Sequence, residues 1–168
     1  QRESLLIVTE FARKFYSNQM HETDEGKSVG LSYFHEREFT EAMIEKFQLG
    51  YAPDQWRALT DEALANGFLL ENLEKAGLTI VNADKKFDRF RGRVMFPIHN
   101  ITGKVIAFGA RILKSDPKAA KYINSPESEI YHKSNVLYGM FQAKNAIRRE
   151  DFCYLVEGYT DVISMHQA

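Results

Sequence analysis

The first half of the chain carries its apolar residues at the spacing of α-helices. Over residues 4–20 they recur every three or four positions, which predicts a helix with one buried face. Thr40 and Asp54 are favourable N-cap residues, and Gly77 is of the type that commonly ends a helix. Further helices are predicted over four segments: 31–37, 41–47, 54–65 and 68–76. This half is therefore predicted to be helical, a pattern that by itself indicates no function.

After Gly77 the pattern changes to short apolar and β-branched runs that are typical of strands. Residues 99–103 resemble the turn of a hairpin, and Pro97 predicts an edge position or a bulge in the strand before it. Strands are predicted over 78–81, 93–98, 105–112, 122–123 and 152–156, and helices over 136–149 and from 160 onward. The predicted fold class is α+β, with a helical front half, a small antiparallel or mixed sheet and the start of an α/β unit.

The apolar run at 152–156 is typical of a buried parallel strand, and it contains the single cysteine, Cys153. Cys153 is accordingly predicted to be a small buried hydrophobic residue. Because one strand followed by one helix is only part of an α/β unit, we expect the chain to be a piece of a longer protein.

Composition is that of an ordinary globular protein: 168 residues, 44% hydrophobic and 27% charged. No apolar run approaches the roughly 20 residues that cross a bilayer, so no membrane association and a cytoplasmic location are expected. The net charge is −1, but 14 basic residues stand against 4 acidic ones over residues 85–149. This asymmetry predicts a basic face that binds phosphate; a solvated surface of uneven charge is the alternative.

Two acidic residues follow the predicted strand at 152–156. Glu157 is expected at its carboxyl end, where ligands of open α/β sheets collect, and Asp161 in the first turn of the next helix. Two carboxylates on one rim are suited to Mg²⁺. The alternative is a surface strand end and an ordinary acid favoured by the helix dipole.

Three arginines alternate with other residues before the strand at 93–98. On an extended segment Arg89, Arg91 and Arg93 would share one face, and a polyanion would relieve their mutual repulsion. The alternative is a charged edge strand that is solvated or salt-bridged.

A third group combines lysines with aromatic and amide side chains. Lys121 and Lys133 suit triphosphate, Tyr122 can stack on a base, and Asn124 can bind phosphate or sugar. Arg111 ends the preceding predicted strand and is expected to point to the same region. A surface loop with turn chemistry is the alternative.

Taken in order, these segments resemble bacterial DNA primases of the DnaG type. The resemblance is strong over residues 87–162 and weaker over 33–53. Its matching segments are 89–98, 105–111, 121–127, 131–133, 137–139 and 157–162, the last being similar to the first motif of the Toprim domain.

The resemblance implies an enzyme that copies single-stranded DNA into short RNA primers from ribonucleoside triphosphates, at the bacterial replication fork. It implies catalytic and metal-binding roles for Glu157 and Asp161, with Mg²⁺ or Mn²⁺ in the intact enzyme. It further implies a groove for template and nucleotide, lined by Arg89, Arg91, Arg93, Arg111, Lys121, Tyr122, Asn124 and Lys133.

By the same resemblance, residues 1–133 are the N-terminal subdomain of the catalytic core and 134–168 the beginning of a truncated Toprim domain. The family's Asp-x-Asp motif, its upstream zinc domain and its C-terminal domain for the replicative helicase lie outside this sequence. We therefore expect the chain alone to be inactive and to bind Mg²⁺ weakly.

Two other interpretations stay open. One is another Toprim enzyme, a topoisomerase or a nuclease, although the basic segments before Glu157 argue against it. The other is a non-catalytic nucleic-acid-binding module, which a downstream Asp-x-Asp motif in the parent protein would argue against.

Overall fold

The computed structural model describes all of residues 1–168 and confirms an α+β fold. The seven α-helices are α1 (Arg2–Glu22), α2 (Ser32–Glu36), α3 (Glu41–Lys46), α4 (Ala58–Ala65), α5 (Leu70–Lys75), α6 (Met140–Glu150) and α7 (Tyr159–Gln167). The six strands are β1 (Gly50–Ala52), β2 (Thr79–Asn82), β3 (Lys85–Asp88), β4 (Arg93–His99), β5 (Val105–Ile112) and β6 (Tyr122–Asn124). A π-helical turn, Gly26–Leu31, leads into α2, and a 3₁₀ turn, Lys133–Asn135, precedes α6.

The helical front half is confirmed, with local signals that behave as predicted. The Thr40 hydroxyl accepts the Met43 N–H at 3.2 Å and so caps α3. Gly77 follows α5 with φ +74°, and the Leu78 N–H closes the helix on the Leu73 carbonyl.

The main sheet is antiparallel, with strand order β1-β4-β5-β6. The turn predicted at 99–103 is confirmed: the Asn100 Oδ1 accepts the N–H groups of Thr102 and Lys104. The prediction for Pro97 also holds, because β1 pairs only with residues 93–95 of β4 and the register shifts at Ile98/His99. Pro97 therefore faces no partner strand on the β1 side.

The cap predicted for α4 was wrong. Asp54 lies before the helix and pairs instead with Lys114, and α4 begins at Ala58. The cap comes from β3, where the buried Asp88 carboxylate accepts the N–H groups of Leu59 and Thr60, each at 2.9 Å. Strand β3 itself was not predicted; it forms a separate hairpin with β2.

Three predictions in the last third are corrected. Helix α6 begins at Met140 rather than at 136, because Gly139 has φ +85° and separates it from the preceding turn. Residues 152–156 form no strand and Cys153 is exposed, because no strand of the main sheet lies alongside to accept their backbone hydrogen bonds.

The core lies between the helices and the main sheet, in two clusters. In the larger one Tyr16 of α1 meets Phe108 of β5 edge to face, with ring centroids 5.3 Å apart. In the smaller one Phe34 of α2 meets Phe96 of β4 at 5.8 Å. Helix α7 adds Ile163 to this second cluster.

A buried histidine joins the sheet to α6. The rings of His99 and Phe141 stack at 5.9 Å, and the two ring nitrogens of His99 meet Gln48 Oε1 at 2.7 Å and Gln142 Nε2 at 3.1 Å. Burial, reinforced by the charge of Arg13, lowers the pKa of His99 to about 4. A neutral ring that donates to Gln48 and accepts from Gln142 fits both contacts.

None of the helices combines the length and the apolar character needed to cross a membrane.

Candidate nucleic-acid interface

The segment 89–93, called the arginine segment below, does not have the regular extended backbone that would place its three arginines on one face. Residues 89–92 precede β4, and Gly92 has φ +61°, a left-handed conformation that breaks the strand alternation. Only Arg93 belongs to β4, and its side chain is buried. The predicted row of three arginines on one strand face was therefore wrong, because the chain turns at Gly92.

Two of the three guanidinium groups bind backbone carbonyls of the segment around β6. Arg89 donates to the Asn124 carbonyl at 2.9 and 3.3 Å, and Arg93 to the Ala120 carbonyl at 3.1 Å. Burial lowers the pKa of both groups, and the charges of Arg89 and Arg91 lower that of Arg93 further. Through these bonds the two arginines hold residues 120–124, called the lysine-bearing segment below, against the arginine segment.

The third guanidinium group stacks on the single tryptophan. Arg91 Cζ lies 4.0 Å from the ring centroid of Trp56, and the Phe87 ring meets the indole edge to face at 5.0 Å. Trp56 is 60% exposed, so it is not the core residue that its type suggests. An exposed indole under a guanidinium is the kind of surface on which nucleic-acid bases stack.

The predicted phosphate-binding lysines are on the surface. Lys121 and Lys133 are exposed. The strand predicted over 122–123 is confirmed as the edge strand β6, which extends one residue further and includes Asn124. The hydroxyl of the partly buried Tyr159 donates to Asn124 Oδ1 at 2.5 Å. Asn124 thus receives Arg89 on its carbonyl and Tyr159 on its side chain.

Arg111, at the end of β5, lies among aromatic rings. Its Cζ is 5.1 Å from the ring centroid of Tyr33 and 6.0 Å from that of Tyr122. Arg37, which the sequence analysis missed, stacks on the same Tyr33 ring at 3.8 Å. Neither arginine forms an ion pair with a carboxylate in this chain, so two positive charges meet near one tyrosine. Nothing in the local sequence distinguishes Arg37 from a surface residue.

The acidic motif lies where the chain enters α7. Glu157 and Asp161 are both exposed, and Asp161 Oδ2 accepts the Gly158 N–H at 3.3 Å in the first turn of the helix. The segment before Glu157 exposes most of its apolar side chains, with Leu155 at 81%. Glu157 therefore does not end a strand in this structure, contrary to the prediction.

Tyr159, inside the acidic motif, is the anchor that the sequence analysis missed. Its ring stacks on Phe96 of β4, with centroids 5.1 Å apart, and lies directly over Gly109 of β5, where a β-carbon would overlap it. The Tyr159 hydroxyl is protonated at neutral pH and donates to Asn124, and burial raises its pKa further above the ordinary value. The contact brings the acidic motif beside β6.

An open cavity of about 1270 Å³ lies between the acidic motif and the surface of β6. Both acidic residues line it, together with Tyr122, Asn124 and Lys133. Arg89, Arg91, Arg93, Arg111 and Lys121 lie outside it. No group of three or more His, Cys, Asp or Glu side chains in the chain is arranged to hold a metal ion, so Glu157 and Asp161 supply at most part of a coordination shell.

Comparison with known proteins gives consistent matches over this whole surface. The family model for the DNA primase catalytic core, N-terminal domain, matches residues 15–144. The DNA primase of Halalkalibacterium halodurans is 45% identical over an alignment of 168 positions, which covers 99% of this chain and 28% of that protein. The chain thus spans little more than a quarter of this curated relative.

Two solved structures extend the match to three dimensions. The RNA polymerase domain of Mycobacterium tuberculosis primase DnaG, in complex with a double-stranded DNA oligomer with a 6-nucleotide overhang, superposes with a TM-score of 0.92 at 39% identity, covering 99% of this chain and 52% of that one. A DnaG primase catalytic domain bound to single-stranded DNA gives a TM-score of 0.90 at 34% identity, covering 99% and 51%. The chain belongs to the family of DNA primase catalytic core N-terminal domains.

Proposed function

We propose that this chain is the front part of the RNA-polymerising core of a DNA primase, which synthesises short RNA primers on single-stranded DNA for replication. It would contribute a basic surface for template and nucleotide and the first acidic motif of the Toprim domain. The observation that carries the proposal is the contact between Tyr159 and Asn124, because it sets the acidic motif beside the lysine-bearing segment. The DNA in the two related structures supports a DNA partner for the same fold.

The template side of the surface is the exposed pair of Trp56 and Arg91. A base stacks on the indole while the guanidinium neutralises the adjoining phosphate. Arg111, with Arg37 beside it, extends the positive charge towards Tyr122. Arg89 and Arg93 contribute indirectly: they bind backbone carbonyls and so hold residues 120–124 in position.

The nucleotide side is the surface of Lys121, Tyr122, Asn124 and Lys133. The lysines would neutralise charge on the triphosphate during transfer. Glu157 and Asp161 offer exposed oxygen ligands of the kind that Mg²⁺ or Mn²⁺ accepts, and a metal held there would supply positive charge that favours phosphoryl transfer. The remaining ligands would come from an Asp-x-Asp motif in the rest of the parent protein.

The division of the chain follows the same proposal. Residues 1–133 form the N-terminal subdomain of the core, and residues 134–168 begin the Toprim domain. A zinc domain before this segment and a helicase-binding domain after it complete the parent protein within the primosome of a bacterial cytoplasm. The family match favours this reading over a topoisomerase or a nuclease.

Binding of a fluorescent oligothymidylate across a salt series tests the template surface. We expect salt-sensitive binding, weakened about tenfold by Trp56→Ala and about threefold by Lys121→Ala. Lys75→Ala is the control, because it removes one positive charge from α5, where Lys75 pairs with Glu71. Binding that is absent at low salt, or equal in all variants, would contradict the proposal.

Catalysis is tested on the parent protein. Incorporation of labelled ribonucleotides on single-stranded DNA should depend on Glu157 and on divalent metal, while the 168-residue chain alone yields no primer. DNA binding without primer synthesis by the parent would favour the non-catalytic alternative.

A further inference from the structure

Asp88 is a buried carboxylate without a cationic partner. It is 2% exposed, and none of the ion pairs in the chain includes it. Burial raises its pKa, against the opposing effect of its hydrogen bonds to Thr60 and Leu59. Burying a carboxylate without a cationic partner costs folding free energy, so the hydrogen bonds that this carboxylate makes are informative about its role.

All the hydrogen bonds of its side chain converge on one corner of the fold, the entry into α4. Its two oxygens accept the Leu59 N–H and the Thr60 N–H, and the Thr60 hydroxyl donates to it at 2.6 Å. Its own backbone N–H donates to the Trp56 carbonyl at 2.7 Å. Asp88 therefore grips the chain on both sides of Arg57, the N-cap residue of α4, which provides no side-chain cap of its own.

This corner carries the exposed indole. Phe87, the residue before Asp88 in β3, packs edge to face with the Trp56 ring. Arg91, three residues after Asp88, stacks on the face of the same ring. The same short stretch therefore supplies the grip on the Trp56 backbone and both side chains that orient its ring.

We propose that Asp88 is a positioning residue for template binding, which holds Trp56 in register with Arg91 so that the pair presents one stacking surface. The inference rests on the template role proposed above for Trp56 and Arg91. Asp88 touches no ligand itself; it acts through the corner at residues 56–60. Without its carboxylate, the entry into α4 would lose its cap, and the main-chain bond from residue 88 would be the only one of these hydrogen bonds left at the corner. Trp56 would then be held less firmly against Arg91, and the stacking surface would be less well ordered.

Trp56 is the only tryptophan, so its fluorescence reports this surface directly. For the 168-residue chain with Asp88→Ala, we expect a shifted Trp56 emission maximum and about tenfold weaker binding of oligothymidylate. Asp88→Asn keeps one acceptor oxygen and a good capping side chain, so it should recover binding to within about threefold. The double variant with Trp56→Ala should bind no more weakly than Trp56→Ala alone.

Val8→Ala is the control for a loss of stability, because it removes buried side-chain atoms from α1 without removing any hydrogen bond at this corner. If Asp88→Ala binds DNA as Val8→Ala does, with an unchanged Trp56 spectrum, Asp88 is only a capping residue and the inference is overturned. Additive losses in the double variant overturn it as well. If the unaltered chain binds no DNA, the template role fails, and with it this inference; a shifted Trp56 spectrum would then show only that Asp88 orients the indole.

Discussion

Two regions carry the residues predicted to act on nucleic acid, and the chain holds them to different degrees. Around the arginine segment, Arg89 and Arg93 are hydrogen-bonded to the β6 segment and Arg91 is stacked on Trp56. Before the acidic motif, residues 152–156 are exposed and unpaired, and the motif is held from its helical side, through α7. The arginine segment is thus held by contacts within this chain, whereas the acidic motif is supported on one side.

The contact of Tyr159 with the sheet, which supports the acidic motif through α7, can be removed by mutation. Tyr159→Ala deletes the ring stacked on Phe96, and we expect it to lower the free energy of unfolding by about 3 to 4 kcal/mol, as for other large aromatic residues cut back to alanine. Tyr154→Ala is the matched control: Tyr154 is 69% exposed in the unpaired segment, and its loss should cost less than about 0.5 kcal/mol. Urea unfolding measures both; equal losses would contradict the comparison.

The junction of the sheet with α6 should be sensitive to acid. The pKa of His99 in the folded chain, about 4, lies below its ordinary value of 6.5, so the unfolded chain takes up the proton first. Stability from neutral His99 is fully present above pH 6.5 and is lost as the pH falls towards 4, by about 2 to 3 kcal/mol. Unfolding at pH 7 and at pH 4.5 should show this loss in the unaltered chain and in the control His21→Gln. A loss of the same size in His99→Gln would assign it to other groups.

The grip of the arginine segment on β6 should be measurable by hydrogen exchange. Arg89→Ala removes both bonds to the Asn124 carbonyl, and we expect faster amide exchange over residues 122–124 and a loss of about 1 to 2 kcal/mol. Arg2→Ala breaks a comparable but exposed hydrogen bond to the Glu129 carbonyl. It should change neither the amide exchange of residues 122–124 nor the free energy of unfolding. Unchanged exchange in Arg89→Ala would mean that β6 is held by its pairing with β5 alone.

The smallest effect is expected in the unpaired segment itself. Cys153 is exposed, so an aromatic disulfide reagent should modify it in the folded chain, with a change in unfolding free energy below about 0.5 kcal/mol. A thiol that reacts only after denaturant is added would show that residues 152–156 are packed after all.

The features predicted correctly from the sequence depend on neighbouring residues. The Thr40 cap, the end of α5 at Gly77 and the turn after His99 each follow from side chains within a few positions. The cap of α4 was mispredicted because its carboxylate, Asp88, comes from a strand far along the chain. An external cap leaves no local signal.

The same distinction applies to the site. The residue types at Lys121, Asn124 and Glu157 pointed to phosphate and metal chemistry, and these roles stay predictions. The exposure of Trp56 and the anchoring of Tyr159 depend on long-range packing, which periodicity does not reveal. The failed strand at 152–156 has a related cause, since an apolar run becomes a strand only beside a partner.

The packing site of the Tyr159 side chain has a consequence for the order in which the chain folds. Its ring rests on Phe96 of β4 and Gly109 of β5, and its hydroxyl reaches Asn124 of β6, so this packing site exists only after those three strands have paired. Closing such distant contacts is slow, and a helix that needs a finished sheet docks after it. We therefore expect α7, which carries the acidic motif, to be the last helix to join the fold and the first to leave it.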